Sequence, residues 1–260
     1  MITINDLRVV YNRDNLIAVD NVRLKIPEKS IFAIVGESGC GKTTLGLSIC
    51  SLINPRDGKI ESGSVVIDNK NILRLSEKEL LEVRGRRVSY IFQEPASSLN
   101  PVLTIGTQIK ESLSIHNIVS KDKLKEATID ALNQARLDDP ERVYSSYPHQ
   151  LSGGMKQRAM IAMAISTKPE LLICDEPTTA LDVDTENEIL DLLLKLRDEL
   201  SLSVLFITHN IRILERIADY IAVMYKGKIV EVDEKNKIFT NPRHEYTKLL
   251  LDSMPEKLKL

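Results

Sequence analysis

An α/β fold with a mainly parallel sheet is predicted by three features of this sequence. Short, unbroken apolar runs occur at IFAIV (31–35), LLIC (171–174) and VLFIT (204–208). Such runs suit strands buried on both faces. Longer helix-like stretches separate them, and strand–helix alternation places helices over a parallel sheet. A glycine-rich turn, GESGCGKTT (36–44), sits at the first strand–helix junction.

Taken in order, residues 2–10 and 20–26 alternate polar and apolar side chains, as strands with one solvated face do. A polar turn joins them. The strand at 31–35 leads through the glycine loop into an apolar helix over 43–52. Asn54-Pro55-Arg56-Asp57-Gly58 marks a turn region. SVVID (64–68) and VSYIF (88–92) read as short strands, the second ending at Gln93. From about 94 to 149 the pattern changes. Residues 104–118 and 121–136 read as helices, the second with Leu124, Ala127, Ile129 and Leu132 as its apolar positions. No strong strand separates them, which predicts an inserted helical subdomain. Residues 155–166 and 185–200 read as helices, and IAVMY (221–225) as a further buried strand. The whole chain, 1–260, reads as a single domain. Its core comprises 1–93 and 151–235, its helical insertion 94–150 and its C-terminal tail 236–260.

Bulk properties exclude several classes. The net charge of −2 over 260 residues gives no footprint of a general nucleic-acid binder. The cluster Arg84-Gly85-Arg86-Arg87 reads as solvated surface. No apolar run approaches the roughly 18–20 residues of a membrane helix. The start, MITINDLRVVY, lacks the basic and apolar regions of a signal peptide. The chain therefore reads as cytosolic, with any membrane association made through a partner. Cys40, Cys50 and Cys174 show no metal-ligand spacing. Cys174, in an apolar run, reads as a small core residue. A thiol at Cys40 fits a reducing compartment.

GESGCGKT matches G-x-x-x-x-G-K-[ST] in full, between a strand and a helix as that motif requires. Gly36, Gly39 and Gly41 let backbone amides turn inward around a polyphosphate, and the helix start adds its positive dipole end. In this reading Ser38, Cys40 and Thr44 belong to the same loop. Lys42 would contact the β- and γ-phosphates of a nucleoside triphosphate, and the Thr43 hydroxyl would ligate Mg²⁺. Asp175 and Glu176 end a buried strand. The aspartate suits Mg²⁺ coordination, and the glutamate suits a general base toward water. Ser152, Gly153 and Gly154 precede a helix, offering a hydroxyl and amides to an anion, with Ser152 as the helix cap.

The ordered trio of GESGCGKTT, LSGGMKQR (151–158) and LLICDEP (171–177) resembles the ATP-binding cassette (ABC) family, the ATPase subunits of ABC transporters. The resemblance implies a P-loop NTPase fold with a RecA-like core sheet, an N-terminal antiparallel β-subdomain and the inserted helical subdomain. It implies ATP hydrolysis with Mg²⁺. It also implies that Ser152, Gly153 and Gly154 close over ATP held by a second ATPase subunit. Gln93 resembles the glutamine that touches Mg²⁺ and reports on the transmembrane partner. Ala180-Leu181-Asp182 resembles the loop that crosses the dimer interface. His209 resembles the histidine on the γ-phosphate, and Tyr11 the aromatic that stacks on adenine.

FQEPASSLNPVLTIGTQIKE (92–111) and IFTNPRHEYTKLLLDSMP (238–255) look like segments of the di/oligopeptide and nickel importers. Glu245 stands where proline is commoner in that branch. Many peptide-importing members carry a cysteine-bearing extension for an iron–sulfur cluster, and no cysteine follows Cys174 here. This leaves nickel, metallophore and oligosaccharide cargo as alternatives. The implied partners are a second ABC ATPase, more often a related chain than a copy, two transmembrane permease subunits and, indirectly, an extracytoplasmic binding protein. The implied place is the cytoplasmic face of the cell membrane. A soluble ABC ATPase of repair or translation is a rival class. Residues 94–150 hold no sustained heptads for a repair-type coiled coil, and the chain carries one cassette rather than two. An exporter ATPase is disfavoured by the two branch-like segments.

Overall fold

The computed structural model describes residues 1–179 and 181–253, apart from the side chains of residues 95 and 96. In chain order the elements are β1 (Ile2–Tyr11), β2 (Leu16–Ile26), β3 (Ile31–Val35), α1 (Lys42–Ile49), β4 (Gly58–Ile67), β5 (Lys70–Asn71), α2 (Glu77–Val83), β6 (Val88–Ile91), α3 (Pro95–Ser98), α4 (Ile105–Ile115), α5 (Leu124–Gln134) and α6 (Pro140–Ser145). They continue with α7 (Gly153–Ser166), β7 (Leu171–Asp175), α8 (Val183–Leu200), β8 (Ser203–Thr208), α9 (Ile211–Ile217), β9 (Tyr220–Tyr225), β10 (Lys228–Glu234), α10 (Lys235–Thr240) and α11 (Glu245–Asp252). They fall into two compact units, 1–80 with 203–260, and 81–202.

The first unit holds two sheets. One is antiparallel, in the order β2-β1-β4-β5. Its alternation is visible in the burial of Ile2, Ile4, Leu7 and Val9. In the other, β3 pairs in parallel with β8 and β9, and β10 adds to β9 antiparallel. Every residue of β3 is buried, as is every residue of β8, which accounts for their unbroken apolar runs. Truncating a fully buried phenylalanine such as Phe206 costs about 3–5 kcal/mol.

The second unit pairs β6 with β7 in parallel, Val88 opposite Leu171 and Ile91 opposite Cys174. Around α7 pack α4 and α5, and α6 packs on both α4 and α5. Side chains start these helices. Thr104 accepts from the Thr107 amide ahead of α4, Ser152 from the Met155 amide ahead of α7, and Asp182 from the Thr185 amide ahead of α8. Each cap satisfies a backbone donor that the helix itself leaves unpaired. No helix among the described residues is long and apolar enough to cross a membrane.

Several boundaries differ from expectation for physical reasons. The second strand begins at Leu16, four residues early, because Leu16 and Ile17 pair with Tyr11 and Val10 while staying exposed. The helix after the glycine loop ends at Ile49 rather than 52, and Ser51 beyond it adopts the left-handed conformation at φ 52°. Gly153 and Gly154 do not precede α7 but form its first two residues. The short helices α2, α3, α6, α9, α10 and α11 and the strand β10 had no expectation.

Candidate active site

The chain turns out of β3 at Gly36. A Cβ there would run into the Met224 carbonyl oxygen, and one on Gly41, at φ 108°, into the Ala18 carbonyl oxygen. Gly39 is different. Its φ of 81° favours glycine, but a Cβ would meet nothing within 4 Å. Packing thus dictates two of the glycines, and the Gly39 side of the loop stays clear for a ligand. Gly41 caps α1 without a side-chain acceptor, leaving the first-turn amides available to an anion.

Lys42 is buried at 4% exposure. Its Nζ donates to the carbonyls of Gly36 at 2.8 Å and Glu37 at 2.9 Å, and lies 4.0 Å from Cys40 Sγ. Burial pushes the Cys40 thiol above its ordinary pKa, against the pull of the Lys42 charge. Cys40 is therefore a packed neutral thiol. Ser38 and Thr43 are exposed, while Thr44 is buried with its hydroxyl 3.2 Å from the Tyr11 hydroxyl. Tyr11, on β1, also lies over Gly58, where a Cβ would come within 2.8 Å of the ring. The aromatic is thus joined to the helix that follows the loop. In the same unit, His209 is exposed between β8 and α9. The neighbouring turn is held by the Asn210 amide, which donates to Thr208 Oγ1, and by the Asn210 side chain, which accepts from the Arg212 amide.

In the second unit Asp175 closes β7 at 2% exposure, and its Oδ2 accepts from the Tyr90 hydroxyl at 2.8 Å. Glu176 follows with a positive φ of 47°. A non-glycine residue in that region is strained by roughly 1–2 kcal/mol. Glu176 Oε2 accepts from Gln93 Nε2 at 3.2 Å and from Thr179 Oγ1 at 2.9 Å. The pair Gln93 and Glu176 is thus brought together.

The start of α7 forms a separate place. A cleft of about 800 Å³ opens over it, lined by Arg136, Arg142, Ser152, Gly153, Arg158 and Asp182 among others. Gln93, Asp175 and Glu176 do not line it. A Cβ on Gly154 would come within 2.7 Å of Thr185 Cγ2, so α7 and α8 approach closely there. Gly153 has no such neighbour, its nearest being Leu181 Cδ2 at 3.8 Å. Arg158 is held by Glu188 at 2.8 Å and by the carbonyls of Ala135 and Arg136, just beyond α5. Asp182 lies below its ordinary pKa because the Thr185 amide and hydroxyl both donate to it. Ala180 of the expected interface loop lies outside the described residues.

The donor chemistry fits the expected ligands. A glycine loop followed by uncapped helix amides and a buried ammonium suits a polyphosphate. Among the described residues no cluster of three or more His, Cys, Asp or Glu could hold a metal. The exposed hydroxyl of Thr43 in the first unit, and the buried carboxylate of Asp175 and the amide of Gln93 in the second, are each oxygen donors of the type Mg²⁺ takes. Tyr90, Thr179 and Tyr246 escaped the sequence reading. In VSYI, Tyr90 is the one position that is not fully buried, which the sequence did not signal.

Comparison with known proteins adds family evidence. Residues 19–179 match the ABC transporter model. Residues 230–259 match the model for the oligopeptide/dipeptide transporter C-terminal region. A probable peptide ABC transporter ATP-binding protein of Sinorhizobium fredii is 44% identical over 240 residues, covering 92% of this chain and 72% of its own. The dipeptide transport ATP-binding protein DppD of Bacillus subtilis is 43% identical over 238 residues, covering 92% and 71%. Among solved structures, the dimeric post-hydrolysis state of the ATP-binding cassette MJ0796 bound to ADP and Pi aligns with a TM-score of 0.79. It is 29% identical and covers 90% of this chain and 99% of that one.

Proposed function

This chain belongs to the ABC transporter family of ATP-binding subunits, and from that premise we propose that it powers the import of di- or oligopeptides. It is an ATPase, and ATP is its substrate. The observation that carries the cargo assignment is the C-terminal match over residues 230–259, joined to relatives named for peptide transport.

In this reading the chain works as one of a pair. Backbone amides from Gly36 to Thr44, with the Ser38 hydroxyl, cradle the phosphates, and Lys42 reaches the β- and γ-phosphates. Tyr11 stacks on the adenine. Glu176 withdraws the proton from the attacking water, with Gln93 and Thr179 holding one of its oxygens in place. His209 contacts the γ-phosphate. Thr43, Asp175 and Gln93 would hold Mg²⁺, which would neutralise charge on the phosphoryl oxygens. Ser152, Gly153 and Gly154 take the γ-phosphate of the nucleotide on a second ATPase subunit. The room over Gly153 and the separate cleft at the start of α7 support that use. Residues 94–150 then pass closure to two permease subunits at the cytoplasmic face of the membrane. A binding protein outside the membrane delivers the peptide.

The test is ligand identification on the binding protein that works with the complex. Recovered peptides whose addition stimulates ATP hydrolysis support the assignment. Recovery of a metal chelate or a sugar, with peptides inert, overturns it.

A further inference from the structure

The C-terminal helix reaches the phosphate loop. Tyr246, in the first turn of α11, is 8% exposed and its ring lies 4.2 Å from that of Tyr225. Its hydroxyl accepts a hydrogen bond from the Glu37 backbone N–H at 3.1 Å. Glu37 is the second residue of the loop. Its N–H belongs to the peptide group whose carbonyl is that of Gly36, and that carbonyl receives Lys42 Nζ at 2.8 Å. One planar peptide group is therefore gripped at both ends, by the tail on its N–H side and by the loop lysine on its carbonyl side.

We propose that Tyr246 is a positioning residue for the phosphate loop, through which the C-terminal tail sets the affinity for the β- and γ-phosphates of the nucleotide. Glycine at 36 leaves the rotation of this peptide group with little steric restraint of its own. The tyrosine hydroxyl supplies that restraint. By drawing on the N–H it also polarises the same amide, making the Gly36 carbonyl a better acceptor for Lys42.

The tail is fastened well enough to carry this load. Glu231 on β10 accepts the Arg243 amide at 2.8 Å through Oε1 and the His244 amide at 3.0 Å through Oε2. Asp233 pairs with Arg243 and Lys237. His244 Nδ1 then accepts the Tyr246 amide at 3.1 Å, starting α11. This chain of bonds runs from β10 to the hydroxyl without an exposed link at Tyr246.

The proposal rests on the phosphate-loop reading, and the experiment separates the two. Nucleotide affinity of the full-length chain is measured by displacing a fluorescent ATP analogue with ATP, ADP or AMP, for wild type, Tyr246→Phe, Leu249→Ala and Lys42→Ala. Tyr246→Phe keeps the ring on Tyr225 and removes only the hydroxyl. Loss of one such bond weakens ATP and ADP about three- to tenfold, leaves AMP unchanged and raises KM for ATP with little change in kcat. Leu249→Ala, at an exposed position of the same helix, changes none of these. Tyr246→Phe with unaltered ATP affinity, or with equal losses for ATP, ADP and AMP, overturns the role of the tail while Lys42→Ala still abolishes binding. Unchanged ATP affinity in Lys42→Ala overturns the phosphate-loop reading itself, and the tail proposal with it.

Discussion

Gln93 Nε2 stands 3.2 Å from Glu176 Oε2, a side-chain amide donor aimed at the carboxylate that follows the β7 aspartate. The bond joins the end of β6 to the end of β7. It sets an uncharged amide donor on the carboxylate proposed as the general base.

Gln93→Glu replaces that donor with a second carboxylate at the same reach. Two carboxylates at this distance cannot both ionise easily, so the apparent pKa of the pair rises. The acidic limb of the pH–rate profile for ATP hydrolysis should move to higher pH, because the base must be deprotonated to act. An unshifted limb with unchanged kcat would separate Gln93 from the base.

Lys42→Ala should remove tight ATP binding, read by fluorescent nucleotide titration. It also strips a donor from the Gly36 and Glu37 carbonyls. An unsatisfied buried acceptor costs about 1–3 kcal/mol, so the nucleotide-free melting temperature should fall as well. A variant that binds ATP normally contradicts the role given to the lysine.

Two of the loop glycines, Gly39 and Gly41, should respond differently to alanine. Gly41→Ala drives a Cβ into the Ala18 carbonyl and should disrupt the loop and its nucleotide binding. Gly39→Ala has open space and bears only the backbone cost of positive φ, roughly 1–2 kcal/mol. Circular-dichroism melts with paired binding curves check the order. Equal damage at both sites would contradict the packing argument.

Glu231 links acid to the tail. Burial raises its pKa, but the nearby Thr247 hydroxyl, the hydrogen bonds from the Arg243 and His244 amides and the Arg243 charge outweigh it and leave the pKa below the ordinary glutamate value. A lowered folded pKa gives stability that is full above the unfolded pKa and lost as pH falls through the folded one. Glu231→Gln should therefore melt earlier than wild type at neutral pH, and the gap should close as the buffer is acidified below the ordinary glutamate range. A gap constant with pH would mean that the charge contributes nothing.

Much of the fold could be read from local pattern. IFAIV and VLFIT are unbroken because both faces of β3 and β8 are covered, and GESGCGKT carries its chemistry in adjacent residues. The residues that escaped depend on long-range contacts. Tyr246 meets Glu37 across 209 positions, and Tyr90 meets Asp175 across 85. Nothing in the period of α11 signals the first. KIVEVDE at β10 alternates, but its Glu231 holds the Arg243 and His244 amides of the tail rather than facing solvent, so its role was not visible locally. Gly154 was read as an anion donor, while the structure also requires it for the approach of Thr185.

In the proposed function Glu176 is the base of an ATP hydrolysis that needs a bound nucleotide and a second subunit. Steady-state hydrolysis and nucleotide binding measured on one preparation of Glu176→Gln test it most directly. The substitution is nearly isosteric, and an amide oxygen can still accept from Thr179. ATP affinity should stay within about threefold of wild type, turnover should fall by about two to four orders of magnitude, and an ATP-dependent dimer should persist on sizing. Near-normal hydrolysis with intact binding would contradict it.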